Sequence, residues 1–358
     1  MKKTKAFKKI PNWVINLSLV LVSVVFCFLL LEIACRIFPW SESHELQMNN
    51  PYYYIETIGQ RKPHIPFYTY KERVPLQFDH QSYYAPTDGI VCFHSNQFGA
   101  RWTEPKNQEL KALKILVLGD SFTYGHGLHY EHTFVYRLEK KLEQASYPVS
   151  FLNFAKRGAH CMKCFEIYTQ FKDTIPHDAV LYGLHINDLV KFPTSYFAAN
   201  PIAIPWIVKW SKGLDFIAKR INSYFIRKYR INRLRSTAIF EEQYFLDNMN
   251  ALINLRKAAN KQGARLYVVV LPILFDLKKH TLQPLYDGLK SRLDNNNFEY
   301  FDLTECLNNF HDKDVWILPF DQHPNQRANE VFSDRLFIEF RKRGIINDLL
   351  RKKTDNQV

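Results

Sequence analysis

The sequence predicts an α/β protein with three layers, in which helices cover both faces of a parallel sheet. From Leu113 onward, short aliphatic runs such as KILVLG, AVLYGL and RLYVVV alternate with longer segments of helical periodicity. Strands that are apolar along their whole length are typical of parallel sheets buried on both faces. The alternation of strands with helices predicts repeated βαβ units.

Length and charge limit the classes of protein that the chain can belong to. It has 358 residues and a formal net charge of +13, and one domain of about 200–250 residues with additional segments is expected at this length. The basic clusters lie at Lys2 to Lys9, Lys209 to Arg235 and Arg341 to Lys353. No sequence motif of a nucleic-acid-binding module accompanies them, so we expect no nucleic-acid partner.

The first predicted element is a membrane helix. No charged residue occurs between Lys9 and Glu32, and the stretch VINLSLVLVSVVFCFLLL has the length of a bilayer span. Five lysines precede it, so the positive-inside rule places residues 1–13 in the cytoplasm. We predict an uncleaved signal-anchor helix over 14–38 and an extracytoplasmic remainder. A cleaved signal peptide is the alternative, but no A-x-A-like cleavage site follows the apolar stretch.

Residues 39–112 form a predicted extension that packs on the main domain. Prolines interrupt every long helical pattern there, which favours irregular structure with short strands. The extension is rich in tyrosine and phenylalanine, whereas disordered linkers are poor in aromatic residues. A face of aromatic side chains that contacts carbohydrate is the functional alternative.

The main domain is predicted over 113–345, with an insertion at about 200–238 and a basic tail over 346–358. Gly213 and Asp215 interrupt a helical pattern in the insertion. Its apolar residues recur at spacings of three and four: Trp206, Trp210, Leu214, Ile217, Ile221 and Phe225. The pattern predicts an amphipathic helix with many basic residues. Three functions stay open for it: a docked surface helix, a contact to an anionic membrane surface and a lid over the active site.

A candidate nucleophile follows the first strand of the predicted sheet. Ser121 stands directly after KILVLGD, and ligands of open α/β sheets bind at the carboxyl ends of the strands. The alternative is a serine that caps a helix. A catalytic serine needs a base and a group that orients the base. Asp321 and His323 in LPFDQHPNQRAN are the candidates, because Pro324 favours extended backbone, in which side chains two residues apart point the same way.

Two further strand ends carry candidate donors for an oxyanion hole. Gly158 follows VSFLNFA and permits a turn that exposes a backbone N–H, and Asn187 follows AVLYGL with a neutral side-chain amide. Donors placed where negative charge develops supply a large part of acyl-transfer catalysis. A plain turn glycine and a helix-capping asparagine are the alternatives. Together, Gly158, Asn187 and His323 follow successive strands of the sheet that carries Ser121.

Four segments, GDSFTYG, NFAKRG, GLHINDL and DQHPN, resemble the sequence blocks of the SGNH hydrolases, also called GDSL esterases and lipases. The resemblance covers 113–343. It implies a flavodoxin-like three-layer α/β/α sandwich without cofactor or metal. It also implies a role for each block residue: Ser121 as nucleophile, His323 as general base and acid, Asp321 as its orienting group, and the Ser121 N–H, the Gly158 N–H and the Asn187 side chain as oxyanion donors. SNQFGARW and the single anchor resemble a membrane-bound bacterial subgroup.

Two blocks depart from the common pattern of this family. The third block usually reads Gly-x-Asn, but here His185 stands two residues before Asn187 and the glycine lies further back, at Gly183. The final block is usually Asp-x-x-His, but Asp321 precedes His323 by two residues. The shorter spacing puts the role of the aspartate in question.

Other residues are alternatives to Asp321 or lie close to the motifs. Asp312, Asp314 or a backbone carbonyl could orient the imidazole of the general base instead. His126, His129 and His185 are near the motifs in sequence and could contact substrate, but we predict that they are structural.

The pair Cys161 and Cys164 forms a C-x-x-C motif without a second such motif or a paired histidine motif, which argues against structural zinc. A redox pair and two small residues on one helix face are both compatible with this spacing. Outside the cytoplasm a disulfide is allowed. Cys27 and Cys35 belong to the predicted membrane segment.

These observations predict a serine esterase anchored in the bacterial inner membrane, with its catalytic domain on the periplasmic side. The family resemblance and the location favour O-acyl, above all O-acetyl, groups of an extracytoplasmic glycan as substrate. A lipid ester and transfer of the acyl group to a sugar hydroxyl are alternatives that use the same residues. A catalytically silent scaffold in surface polysaccharide assembly is an alternative of another class.

Overall fold

The computed structural model describes residues 11–37, 56–58, 64–73, 90–191, 210–279, 281–318 and 321–355. These residues form a nine-stranded sheet and a two-stranded sheet. The nine strands are β1 (Glu56–Ile58), β2 (Thr69–Arg73), β3 (Ile90–Ser95), β4 (Arg101–Trp102), β5 (Leu113–Gly119), β6 (Val149–Asn153), β7 (Ala179–Leu184), β8 (Arg265–Val270) and β9 (Glu299–Asp302). The small sheet consists of β10 (Trp316–Leu318) and β11 (Asp321–Pro324). The helices are α1 (Asn12–Ile37), α2 (Ser121–Tyr124), α3 (Phe134–Gln144), α4 (Cys161–Phe171), α5 (Lys212–Arg235), α6 (Gln243–Lys261), α7 (Gln283–Asn295), α8 (Gln326–Lys342) and α9 (Ile345–Asp355).

Five parallel strands form the centre of the large sheet, in the order β6-β5-β7-β8-β9. Counted along the chain, this is the order 2-1-3-4-5 of flavodoxin-like sheets. The order reverses at β5, so a crevice is expected beside the carboxyl end of that strand. The predicted fold class, an α/β sandwich with a central parallel sheet, is confirmed.

The two faces of the sheet are covered by different helices. Along β5, Leu116 and Leu118 belong to the apolar layer that includes residues of α4, α6 and α7. Ile115 and Val117 belong to the layer that includes residues of α3, α8 and α9. All four side chains are fully buried. A strand buried on both faces must be apolar at every position, which explains the continuous aliphatic run of β5.

The extension that precedes the main domain joins the sheet. Strands β1 to β4 form an antiparallel series, and β4 pairs with β6 through Arg101 and Asn153. The sequence predicted irregular structure with short strands that packs on the domain, whereas four strands extend the sheet itself. The backbone of β6 would otherwise form an open edge, and edges of this kind are usually covered or paired.

Aromatic side chains of the extension pack inside the domain. The rings of Tyr70 and Phe93 stack with centroids 4.7 Å apart, and Phe93 stacks on Tyr124 at 5.7 Å. The Arg101 guanidinium lies 4.4 Å from the centroid of the Phe93 ring. Tyr70 and Phe93 are buried, so these two rings of the extension are not available to contact carbohydrate. Other aromatic residues of the extension lie outside the described residues: Trp40, Tyr52, Tyr53, Tyr54, Phe78, Tyr83 and Tyr84.

By its contacts the chain divides into two units, residues 1–49 with 193–229 and residues 50–192 with 230–358. In the first unit, α1 is the one helix of the described chain that is long and apolar enough to cross a membrane. The Glu32 carboxylate of α1 accepts hydrogen bonds from the backbone N–H of Gly213 at 2.7 Å and of Lys212 at 3.2 Å. It therefore satisfies N–H groups at the start of α5.

The helix of the insertion differs from its predicted position. The apolar pattern predicted a helix from Trp206, which lies outside the described residues, interrupted at Gly213. Instead α5 begins at Lys212, and Gly213 lies in its first turn. A Cβ atom at Gly213 would lie 3.1 Å from Glu32 Oε2. The glycine thus allows the close approach of Glu32.

Burial of His64 makes the second unit sensitive to acid. His64 donates Nε2–H to the carbonyl of Phe154 at 3.0 Å, and burial, with a smaller effect of nearby lysines, lowers its pKa to about 4. In the unfolded chain, His64 takes up a proton below about pH 6.5, whereas in the folded protein it stays neutral down to about pH 4. The contribution of His64 to the free energy of unfolding is therefore complete above about pH 6.5 and is lost as the pH falls towards about 4.

We predict that His64→Gln reduces the loss of stability between pH 7 and pH 4.5 by about 2 kcal/mol. Urea unfolding of the full chain in detergent at both pH values, followed by circular dichroism, measures this. The control is His311→Gln, at an exposed histidine. An equal loss in the wild type and in His64→Gln would contradict the assignment.

Candidate active site

Ser121 is the first residue of the short helix α2, at the carboxyl end of β5. Asp120 precedes the helix, and its carboxylate accepts the backbone N–H of Phe122 at 2.8 Å. Asp120 is therefore the N-cap, and the alternative of Ser121 as the capping residue is wrong. This turn places the Ser121 hydroxyl beside the strand where the sheet order reverses.

Two glycines make room for this turn. Gly119 of β5 pairs with Gly183 of β7. A Cβ atom would lie 2.4 Å from Thr123 Oγ1 at Gly119 and 2.0 Å from it at Gly183. The Thr123 side chain thus packs directly on the backbone of two strands. This contact explains why the glycine of the third block stands at position 183.

His323 joins Ser121 to Asp321 by two hydrogen bonds. His323 Nε2 lies 2.8 Å from Ser121 Oγ, and His323 Nδ1 lies 2.5 Å from Asp321 Oδ1. Asp321 and His323 are both in β11, where alternate side chains share a face. The two-residue spacing therefore brings the carboxylate to the imidazole. Burial acts to raise the pKa of Asp321, but the neighbouring His323 and hydrogen bonds from both His323 and His126 hold it well below its usual range.

The other acidic candidates bind elsewhere. The Asp312 carboxylate accepts backbone N–H groups of Asp276 and Leu277 at 2.9 and 3.1 Å. Asp314 accepts the backbone N–H of His311 at 3.3 Å. Asp312 thus binds the start of the turn at Leu277–Lys279, and Asp314 binds within its own turn, whereas the contact to the His323 imidazole is made by Asp321.

The predicted oxyanion donors follow β6 and β7, the two neighbours of β5. Gly158 has φ +68°, and no atom lies within 4 Å of a Cβ atom built there. Left-handed backbone, not crowding, therefore accounts for this glycine. Asn187 lies in a short 3-10 turn, Ile186–Asp188, and is exposed. Gly158 and Asn187 thus follow the strands on either side of the one that carries Ser121.

His185 orients the Asn187 amide. Its Nδ1 lies 2.7 Å from Asn187 Oδ1, and its ring stacks on Phe122 at 4.2 Å. Burial lowers the pKa of His185, which favours a neutral ring that donates Nδ1–H to the amide oxygen. The amide Nδ2 of Asn187 is then left as a donor. His185 was predicted to be structural from the sequence, and its position two residues before Asn187 was the signal for this contact.

A buried ion pair supports the segment that contains Gly158. Arg157 binds both carboxylate oxygens of Glu72, with 2.6 Å between Nη2 and Oε2. Glu72 belongs to β2 of the extension and is fully buried. Pairing of this kind is needed because a buried carboxylate without a partner is costly. The extension therefore contributes to the candidate site, which the sequence did not reveal.

His126 is the second histidine at Asp321. His126 Nε2 lies 3.1 Å from Asp321 Oδ2, and the rings of His126 and His323 are 4.3 Å apart. The candidate ligand atoms of His126, Asp321 and His323 lie within 4.8 Å of one another, a group that could hold a metal ion. The contacts to Asp321 are at hydrogen-bond distance, however, and a cation would have to displace their protons.

Cys161 and Cys164 lie in the first turn of α4 and are buried without a disulfide between them. Tyr182 donates its hydroxyl to Cys161 Sγ at 3.3 Å, and Cys164 Sγ lies 3.7 Å from the Gly119 carbonyl. Burial raises the pKa of both thiols. A high pKa and burial are the opposite of what a reactive redox pair needs.

The arrangement of hydroxyl, imidazole and carboxylate has the geometry of a serine hydrolase site. No protein-family model matches the chain. No curated protein matches it either. Among solved structures, the chain is similar to the esterase EstA from Pseudoalteromonas sp., with 14% identity over 64% of this chain and 97% of that chain, at a TM-score of 0.39.

Two further solved structures have comparable similarity. A lipolytic protein of the G-D-S-L family from Veillonella parvula shares 15% identity over 63% of this chain and 96% of its own, at a TM-score of 0.38. The acetylxylan esterase Axe2 from Geobacillus stearothermophilus shares 12% identity over 64% of this chain and 94% of its own, at a TM-score of 0.38. Similarities of this size assign neither activity nor substrate to this chain.

We predict that Cys161 and Cys164 react with maleimide at least about tenfold more slowly in the folded protein than in the urea-unfolded chain, because they are buried and their pKa is raised. Mass spectrometry of peptides after timed labelling measures both residues. The half-buried Cys92 is the internal comparison. Fast labelling of the folded protein at either position would instead support a redox pair.

Proposed function

We propose that the chain is an SGNH-type serine esterase that cleaves a carboxylic ester through an acyl-enzyme. The observation that carries the proposal is the 2.8 Å contact between His323 Nε2 and Ser121 Oγ. A serine hydroxyl is a weak nucleophile until a neighbouring base accepts its proton. The Asp321 contact to the opposite nitrogen of the ring supports the same assignment.

In the acylation step, His323 Nε2 accepts the proton of the Ser121 hydroxyl while Oγ attacks the ester carbonyl. Asp321 accepts the Nδ1–H of His323, keeps the tautomer in which Nε2 is the base, and stabilises the imidazolium that forms. When the tetrahedral intermediate collapses, His323 returns the proton to the leaving alcohol. An acyl group then remains on Ser121.

The negative charge on the carbonyl oxygen needs hydrogen-bond donors that are in place before the reaction. The backbone N–H groups of Ser121 and Gly158 and the amide of Asn187 are the proposed donors. Their position after β5, β6 and β7 supports this assignment, because neighbouring parallel strands end at the same edge of the sheet. The hydrogen bond from His185 to Asn187 Oδ1 favours an amide whose Nδ2 is available.

In the second step, a hydroxyl compound attacks the acyl-enzyme while His323 accepts its proton. The bond between the acyl carbon and Ser121 Oγ then breaks, and His323 returns the proton to Oγ. Water gives hydrolysis, and a sugar hydroxyl gives acyl transfer. Hydrolysis is the proposed reaction because the sequence blocks resemble those of esterases. Acyl transfer uses the same residues and is distinguished by its product.

The proposed location is the periplasmic face of a bacterial inner membrane, with α1 as the anchor and the N-terminus inside. The five lysines before the apolar stretch support this orientation. An O-acyl group, above all an O-acetyl group, on an extracytoplasmic glycan is the proposed substrate. The resemblance to a membrane-bound bacterial subgroup supports the glycan, and a lipid ester is the competing substrate.

We expect Ser121→Ala and His323→Ala to lower the turnover of p-nitrophenyl acetate by several orders of magnitude, and Asn187→Ala to lower it about 10²–10³-fold. The full chain in detergent is the enzyme, and labelling of Ser121 by a fluorophosphonate probe is the second measurement. Ser291→Ala, at an exposed serine of α7, is the control.

Each outcome of this experiment bears on a different assignment. An unchanged rate in Asn187→Ala would remove that residue from the oxyanion hole. If the folded wild-type chain neither turns over the ester nor reacts with the probe, the catalytically silent scaffold is favoured over the esterase.

We expect the surface glycans of cells that lack this gene to carry more O-acyl groups than those of the parent, if hydrolysis is the reaction. Mass spectrometry of the purified glycans measures the difference, and complementation with the Ser121→Ala gene is the control. Fewer acyl groups in the deletion strain would instead indicate acyl transfer. Unchanged glycans together with altered lipids would favour the lipid ester.

A further inference from the structure

His126 lies in the short segment Gly125 to Leu128, which follows helix α2. Gly125 and Gly127, on either side of it, have φ values of +82° and +68°, which favour glycine. The backbone N–H of His126 donates to the carbonyl of Ser121 at 3.0 Å. The position of the His126 backbone is thereby tied to the residue proposed as the nucleophile.

Arg101 fixes the same segment from the other side. Its guanidinium donates to the backbone carbonyls of Tyr124, Gly125 and Leu128, with 2.8 Å to Gly125. Arg101 is buried and belongs to β4 of the extension. A planar guanidinium with several donors suits this task, because one side chain binds carbonyls on both sides of His126.

The side chain of His126 contacts Oδ2 of Asp321, the carboxylate oxygen that does not contact His323. Asp321 Oδ1 is bound to His323 Nδ1 at 2.5 Å, and Asp321 Oδ2 is bound to His126 Nε2 at 3.1 Å. Each carboxylate oxygen therefore has its own imidazole. No other titratable side chain forms a hydrogen bond to Asp321 within the part of the chain that the structure describes.

The surroundings of His126 favour the neutral form of its ring. Burial, together with the neighbouring His323 and Arg157, lowers the pKa of His126 to about 4, so its ring is neutral at pH 7. An ionised carboxylate only accepts hydrogen bonds, so the proton of the neutral ring lies on Nε2. His126 Nδ1 is buried and has no hydrogen-bond partner among the described residues.

We propose that His126 is a positioning residue for Asp321: its Nε2–H donates to Oδ2 and fixes the plane of the carboxylate so that Oδ1 meets His323 Nδ1. The inference rests on the proposed serine esterase activity. To the proposed mechanism it adds His126, a residue that contacts the aspartate and not the substrate.

The short Asp-x-His spacing gives this contact its importance. His323 binds the same oxygen, Asp321 Oδ1, with both its Nδ1–H and its backbone N–H, the latter at 3.1 Å. Rotation about the Cβ–Cγ bond of an aspartate has broad minima, so a further donor on Oδ2 restricts the plane of the carboxylate. Hydrogen bonds to charged groups are among the stronger ones in proteins, and the partly buried carboxylate of Asp321 has both oxygens bound.

The experiment compares His126→Gln with His126→Asn in the full chain in detergent. The amide nitrogen of Gln reaches about as far as Nε2 of histidine, whereas that of Asn reaches only about as far as Nδ1. We expect kcat for p-nitrophenyl acetate to fall about 10- to 100-fold in His126→Asn, with KM changed less than about twofold. In His126→Gln we expect kcat to recover to within about threefold of the wild type.

Thermal unfolding of all variants shows whether they are folded. The control is His132→Phe, at a histidine of the next turn, Tyr130–His132. Equal kcat in the wild type and in folded His126→Asn would overturn the inference. Equal loss in folded Gln and Asn variants would also overturn it, since restoring a donor then has no effect. A folded wild-type chain that is silent towards ester and fluorophosphonate would instead refute the esterase proposal itself.

Discussion

The candidate site depends on one hydrogen bond between two residues 202 positions apart, His323 Nε2 and Ser121 Oγ. A contact of this separation forms only when both segments are placed by independent parts of the fold. Ser121 is placed by the end of β5 and by the Asp120 cap, and His323 by β11. A small displacement of either segment would break the contact, because hydrogen bonds weaken steeply with distance and angle.

The antiparallel extension has a part in this placement. β2 contributes Glu72, which binds Arg157 beside Gly158, and β4 contributes Arg101, which binds the segment that follows Ser121. Strands added to the edge of a parallel sheet thus hold two loops at its carboxyl end. Supporting side chains of this kind are needed wherever catalytic groups must keep a fixed geometry.

The histidines of the site divide into two kinds by their surroundings. His323 lies between Ser121 and Asp321. In the proposed mechanism it accepts a proton from the attacking hydroxyl and returns it to the leaving group. His185 is buried and His126 is largely buried, and this removal from water lowers the pKa of both. A neutral imidazole has one N–H donor and one acceptor nitrogen, and the acceptors beside these two rings are Asp321 Oδ2 and Asn187 Oδ1. In the proposed mechanism, the same residue type acts as a base at one position and as a support at two others, where burial disfavours the charged form.

The sequence by itself determined the fold class and the four motif segments, because apolar strands and their carboxyl-end residues are local features of the chain. It also indicated the apolar helix near the N-terminus. It did not reveal that the extension joins the sheet, or that α5 begins at Lys212 with its first N–H groups bound by Glu32. It also did not reveal that His126 contacts Asp321 and that His185 contacts Asn187. Those contacts join residues on different elements, or depend on how a turn closes. Only the tertiary structure decides which side chains meet, since packing, and not local periodicity, sets distances between segments.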